Sequence, residues 1–320
     1  MHNKVRNPLI NNEKHYLTMH NYCLNRFGKK TYRISLNGGF SCPNRDGKLS
    51  YDGCLFCSAS GSGDFAGDRG KPLTEQFNEI KTMMQKKWSD GYYIAYFQAN
   101  TNTYGSLDKL KSIYSQIITN DGPIDNKIKI LSIATRPDCI DDEIIDYLID
   151  LNKKVEVWIE LGFQTANENT ASYLNRGYRN NIFFDTVKKL KKANIHTIVH
   201  IINGLPGETE EDMINTVKLL NNLNIDGIKI HMLHIMKNTP LGSIYENKPF
   251  PLLSLDEYVK IVSKQLQHLN DNIVIHRITG DAPKDLLIEP TWTLKKFIVM
   301  NEIDKYMRKN NIYQGDLCLK

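Results

Sequence analysis

Three cysteines, Cys42, Cys54 and Cys57, stand in a C-x11-C-x2-C pattern just after a short β-forming run, residues 32–36. Gly38, Gly39, Gly47 and Gly53 surround them, so the backbone is free to take the positive-φ turns that aim several thiols at one spot. Thiolates held close together repel one another unless a metal neutralises them, which makes the loop a metal-site candidate. Structural zinc takes four ligands, and no fourth Cys or His follows at finger spacing. A [4Fe–4S] cluster held by three cysteines leaves one iron open to an outside ligand, an arrangement suited to chemistry rather than scaffolding.

The chain has 320 residues, enough to bury a sizeable core as two domains or as one α/β barrel. The first residues, Met1 to Asn7, carry charge and no apolar stretch, so no signal peptide is expected. No apolar run approaches the length of a membrane span. Six cysteines in a chain this long do not make a disulfide framework, and the clustering of three fits a reducing cytoplasm. A net charge of +5 permits an anionic partner such as RNA, though it is small for this size.

Periodicity predicts a helix over 15–27, with Cys23 on its apolar side, and another over 73–88. Strands are predicted at 32–36, 92–97, 128–134, 155–161, 195–202, 228–233 and 273–278. Helices at 106–119, 141–151, 180–193, 210–223 and 254–269 lie between them. Strands separated by helices imply a parallel sheet with right-handed crossovers. Six strands and a possible seventh suit an incomplete TIM-like barrel. A last helix over 293–308 carries an apolar stripe of Leu294, Phe297, Ile298, Ile303 and Met307, expected to pack on its own barrel.

The stretch from Asn37 through Cys42-Pro-Asn-Arg-Asp-Gly47 to Gly53-Cys-Leu-Phe-Cys57 resembles the radical S-adenosylmethionine (SAM) proteins of the YhcC/YtqA type, relatives of the Elongator catalytic subunit. The superfamily's usual spacing is C-x3-C-x2-C, and this subfamily shares the longer first gap. The resemblance runs from about residue 15 to about residue 305. It implies an α/β fold: an incomplete (β/α)6 radical SAM barrel over 31–280, with helical extensions at 1–30 and 281–320. It also implies a [4Fe–4S] cluster on Cys42, Cys54 and Cys57, with SAM on the open iron.

Chemistry in such barrels collects at the carboxyl ends of strands. Gln98-Ala-Asn100-Thr-Asn resembles the segment that binds the SAM amino group; the plainer reading is that these residues cap the next helix. Thr135-Arg-Pro-Asp138 resembles the Elongator-type T-R-P-D, but Ala134 replaces the preceding glutamate, and Gln98 is the candidate to supply its contact. Glu160-Leu-Gly-Phe-Gln164 is similar to the family's E-L-G-x-Q, which implies hydrogen bonds to SAM; the alternative is a buried Glu160 paired with Arg136 or Lys229. Asn175-Arg176-Gly177-Tyr178 resembles N-R-G-H, whose arginine would meet the SAM carboxylate; Tyr178 stands in place of the His, and a solvated arginine is the alternative. His200 and Asn203, leading into Gly204-Leu-Pro-Gly-Glu208, are candidate contacts to the nucleoside, and His200 is equally read as a core histidine.

Lys229, His231 and His234 lack a carboxylate or cysteine at ligand spacing, which disfavours zinc. Arg277 and Asp281 either line the substrate's entrance or form a surface ion pair. The resemblance implies a cytoplasmic enzyme that takes an electron from flavodoxin or ferredoxin and modifies the carbon-5 side chain of a wobble uridine in tRNA. Lysines 109, 111, 188, 189, 191, 192, 295 and 296 are the available cations. No extension is large enough for an acetyltransferase, so Elongator's full reaction does not carry over. Two rivals stand beside this reading: radical SAM chemistry on a small metabolite or protein, and a non-catalytic RNA-binding module that holds zinc on the same cysteines.

Overall fold

The structure is a computed structural model that describes residues 6–88 and 90–318. Seven strands make the main sheet: β1 (Thr31–Leu36), β2 (Tyr92–Phe97), β3 (Ile128–Thr135), β4 (Glu156–Gln164), β5 (His196–Asn203), β6 (Gly227–Met232) and β7 (Val274–Arg277). They follow one another in chain order, with β1 and β7 at the two ends of the order. Pairing is parallel between β1 and β2, β2 and β3, β3 and β4, and β6 and β7. Every crossover carries a helix, so the α/β class and the open, incomplete barrel order are as expected.

The helices are α1 (Met19–Phe27), α2 (Leu73–Gln85), α3 (Leu107–Tyr114), α4 (Asp142–Asn152), α5 (Glu168–Tyr173), α6 (Asn180–Lys192), α7 (Glu210–Asn221), α8 (Pro240–Asn247), α9 (Leu255–His268) and α10 (Lys296–Lys309). Three of them run shorter than their periodicity suggests, α1 by beginning only at Met19. α2 stops at Gln85, and α3 stops at Tyr114 because Ile118–Thr119 pairs antiparallel with Gly122–Pro123. The short helices α5 and α8 were not expected. Each starts on a side-chain cap, Asn167 and Thr239, rather than on an apolar period. Among the described residues no helix is long and apolar enough to cross a membrane.

The chain divides into two compact units. The first comprises residues 23–162 and 176–198. Its core is built on β2, where Ile94, Ala95 and Phe97 are fully buried, as a strand covered on both faces requires. Tyr114 of α3 meets the Phe97 ring edge-on at 4.9 Å.

The second unit comprises residues 6–22, 163–175 and 199–318 of the described chain. Here the two ends of the chain clasp each other. The His15 ring stacks on Tyr313 at 3.8 Å, and Gln314 bonds Leu17 N and Ile273 O, both at 2.8 Å. Reciprocal capping boxes, Thr209 with Asp212 and Ser254 with Glu257, start α7 and α9. The stripe on α10 splits: Ile303 and Met307 are buried with Val299, whereas Leu294, Phe297 and Ile298 are exposed.

Candidate functional site

The long gap between Cys42 and Cys54 is closed by the backbone. Arg45 N and Asp46 N donate to Cys42 O at 2.8 and 3.2 Å, turning the chain immediately after the first cysteine. Leu49 N returns to Pro43 O at 2.8 Å, and Gly53 N to Asn44 O at 2.7 Å. The intervening residues therefore form a side excursion, and Cys54 re-enters beside Asn44 as though the gap were short. Gly53 takes φ +74°, which a side chain at this point would resist. Cys57 N closes onto Cys54 O at 2.9 Å. The Asn44 amide donates to Cys54 Sγ at 3.5 Å, and Arg45 donates to the carbonyls of Cys57, Ser58 and Ala59, pinning the far side of the loop.

Burial pushes the Cys54 thiol up to about 12, with Cys57 and Cys42 adding to the rise and Arg136 opposing it. Burial raises Cys57 too, against the nearby Arg45 guanidinium. Thiols held in this way stay protonated unless a cationic metal group takes the protons' place. Among the described residues no three His, Cys, Asp or Glu side chains converge as a single metal ion would need. A [4Fe–4S] cluster makes no such demand, because each thiolate binds a different iron. The three cysteines fit that group.

Around the loop the first unit places most of its expected polar residues, but several are turned inward. Asn100, at φ +59°, donates its amide to Phe40 O at 3.1 Å, while its N–H bonds Gly61 O at 2.9 Å. It thus ties together the two ends of the cysteine loop. The half-buried side chain of Gln98, just past β2, makes no hydrogen bond among the described residues. Glu160 is buried; it accepts from Ser132 Oγ at 2.7 Å and lies 3.6 Å from Arg33, its ion-pair partner in place of Arg136.

Arg136 instead makes a two-pronged bond to Asp138, at 2.9 and 2.8 Å, and donates Nη1 to Arg176 O at 2.9 Å. Arg176 is only 2% exposed. Its guanidinium donates to Tyr178 O at 3.1 and 3.0 Å and to Asn180 Oδ1 at 2.8 Å, so it is not a solvated arginine. Tyr178 lies beneath both guanidiniums, 4.5 Å from that of Arg176 and 5.0 Å from that of Arg136. Gly177 is demanded by space: a Cβ there would lie 2.6 Å from Asn44 Oδ1.

In the second unit, Gln164 is half-buried at φ +65°. Asn203 is buried and exchanges reciprocal amide bonds with Gln265 at 2.7 and 2.8 Å. His200 is half-buried, its ring 5.6 Å from that of His231. Burial holds His231 well below the usual histidine range and His234 down at about 4, so both are neutral near pH 7. Arg277 forms the ion pair with Asp281, at 2.6 Å, and Lys296 shares the same carboxylate at 2.8 Å.

Glu208, beside Thr165, is pushed up by burial from 4.5 to about 7, and the Thr165 hydrogen bond works against this. A raised carboxyl favours the folded state while it is protonated. Stability should therefore fall as pH rises from about 4.5 to about 7. Glu208→Gln should flatten that decline and raise stability at pH 8 by ~1–2 kcal/mol, after allowance for partial exposure. Urea melts of both proteins across this pH range measure it; parallel curves would refute the assignment.

Two residues that organise the loop, Asn44 and Arg45, escape a reading based on ligand spacing, because their work is done on backbone carbonyls and a sulfur. Their position between the first cysteine and a glycine was the available signal.

The Radical SAM superfamily model matches residues 41–220, more than half of the chain, and the Radical_SAM C-terminal domain model matches residues 225–309. YtqA of Bacillus subtilis (strain 168) is 44% identical over 308 residues, which are 96% of this chain and 94% of that protein. YhcC of Escherichia coli (strain K12) is 31% identical over 288 residues, 90% of each chain. The structure of archaeal Elp3 from Methanocaldococcus infernus, with an N-terminal deletion, shares the fold at a TM-score of 0.65 and 14% identity. That match covers 89% of this chain and 64% of the Elp3 chain. Radical SAM proteins use a [4Fe–4S] cluster and SAM. On its matched length, its relatives and its cysteine loop, the chain belongs to the radical SAM superfamily.

Proposed function

We propose that this radical SAM enzyme acts on tRNA, at the side chain on carbon 5 of a wobble uridine. The observation that carries the catalytic part is the Gly53–Asn44 hydrogen bond, which returns Cys54 to Cys42 across the long gap. When bound, the cluster supplies the electron that cleaves SAM to methionine and a 5′-deoxyadenosyl radical. The residues of the chain hold and orient. Asn44 donates to the Cys54 sulfur, an outer contact of the kind that tunes a cluster's potential. Gln98 offers an amide with no other hydrogen bond among the described residues, available to the SAM amine.

The RNA part is supported by the resemblance to the Elongator catalytic subunit and by the lysines. Several of these are already engaged. Lys189 pairs with Asp142 at 2.7 Å, Lys188 lies 3.8 Å from Asp185, and Lys109 sits over the Phe40 ring at 5.1 Å. Lys295 has no ion pair among the described residues, which makes it the better candidate for a phosphate. We place the enzyme in the cytoplasm with a flavodoxin- or ferredoxin-type electron donor.

The test is chemical. A deletion strain should accumulate a precursor uridine in its tRNA, read by mass spectrometry of digested nucleosides. Wild-type protein should restore the product and Cys54→Ala should not. Identical nucleoside profiles in the deletion and parent strains would remove the RNA reading and leave the family assignment standing.

A further inference from the structure

We infer that the start of α10 is a contact for unpaired RNA, with Phe297 as a stacking platform and Lys295, Lys296 and Arg277 as partners for the flanking phosphates. This inference rests on the RNA reading above and names a surface for it. Phe297 is 71% exposed, and its neighbours Leu294 and Ile298 are 40% and 45% exposed. Packing does not account for them. α10 already buries Val299, Ile303 and Met307 completely, so its attachment to its own unit is made by the other face.

Cations outnumber acids beside Phe297. The Lys296 ammonium lies 5.9 Å from the centre of the Phe297 ring and bonds Asp281 Oδ1 at 2.8 Å. Arg277 bonds Oδ2 of the same carboxylate at 2.6 Å. One acid thus serves two cations, and Lys295 adds a third. The first turn of α10 has no acidic residue and no side-chain cap, so the positive end of the helix dipole adds to the lysines. An exposed aromatic ring among cations is the arrangement that binds single-stranded nucleic acid: the ring stacks any base, and the cations follow the backbone. A protein partner is a poorer match, since lysine is depleted at protein interfaces. A membrane surface would need the exposed apolar face to continue along the helix, and beyond Ile298 no large apolar residue of α10 is exposed: Val299, Ile303 and Met307 are buried and Met300 is half-buried.

The experiment is fluorescence anisotropy of the full chain with labelled oligouridylate and with unfractionated tRNA. Phe297→Ala should weaken binding roughly tenfold, the effect of one lost base stack, and Phe297→Tyr should bind as wild type. Lys295→Ala should lower the slope of log K against log salt by about 0.7. Met83→Ala, which removes a 61%-exposed apolar side chain from α2, should change nothing. If wild type binds RNA and Phe297→Ala binds equally well, this inference falls and the RNA reading stands. If wild type does not bind RNA, the RNA reading falls and takes the inference with it. An equal loss in Met83→Ala, or a loss by Phe297→Ala confined to phosphatidylglycerol vesicles, would also overturn the stacking platform.

Discussion

Cys42→Ala, Cys54→Ala and Cys57→Ala should each leave the protein colourless after anaerobic reconstitution, whereas the wild type should turn brown and hold about four irons per chain. A cluster bound by three thiolates has no spare ligand, so losing any one should remove most of the iron rather than a third of it. The remaining cysteines provide the control. Cys23 is buried on α1, Cys318 donates its thiol to His268 O at 3.0 Å, and Cys139 lies 3.9 Å from Asp138. Alanine at each of these should load iron like wild type. Iron and sulfide analysis with the visible absorption spectrum measures this. A wild-type protein that takes up one zinc and no iron under reducing conditions would refute the cluster site.

The strand–helix alternation was legible because each parallel strand is a short apolar run set apart by a longer amphipathic one. β2 matched its predicted limits, and the other main-sheet strands fell within a few residues of theirs. The cysteine pattern was legible as a candidate metal site for a chemical reason, since clustered thiolates repel one another unless a metal neutralises them. Hydrogen-bond direction was not legible. Asn100 was marked by its place after a strand, and the same place suits an amide facing a ligand or one turned back onto its own loop. A left-handed backbone at Asn100 turns it toward Phe40 O, and sequence does not reveal that φ. Glu160 shows the same limit: an ion-pair partner, Arg33, lies on β1, far away in sequence but three strands away in the sheet order. The α10 stripe misled because helical spacing marks which residues are apolar, not which are covered.

Arg176→Ala should cost the apoprotein stability as well as SAM affinity. The resemblance implies a contact with the SAM carboxylate, whose loss would weaken SAM binding by roughly 1.5–3 kcal/mol. The structure adds a second role. The buried guanidinium satisfies Tyr178 O and Asn180 Oδ1 and covers the Tyr178 ring, so alanine leaves these groups without that partner and opens a void. Together these should destabilise the apoprotein by about 3 kcal/mol. The damage should also reach the cysteines. Arg176 O accepts from Arg136 and, at 3.3 Å, from Asn44, and the same Asn44 amide group donates to Cys54 Sγ. Arg176→Lys keeps the charge but loses the fork that spans two acceptors, and should fall between the two. Thermal melts without cluster or SAM separate the roles. A variant that melts like wild type yet binds SAM weakly would mean that the guanidinium leaves Tyr178 for the ligand. A lower melting temperature with unchanged SAM affinity would make Arg176 a brace for the cysteine loop alone.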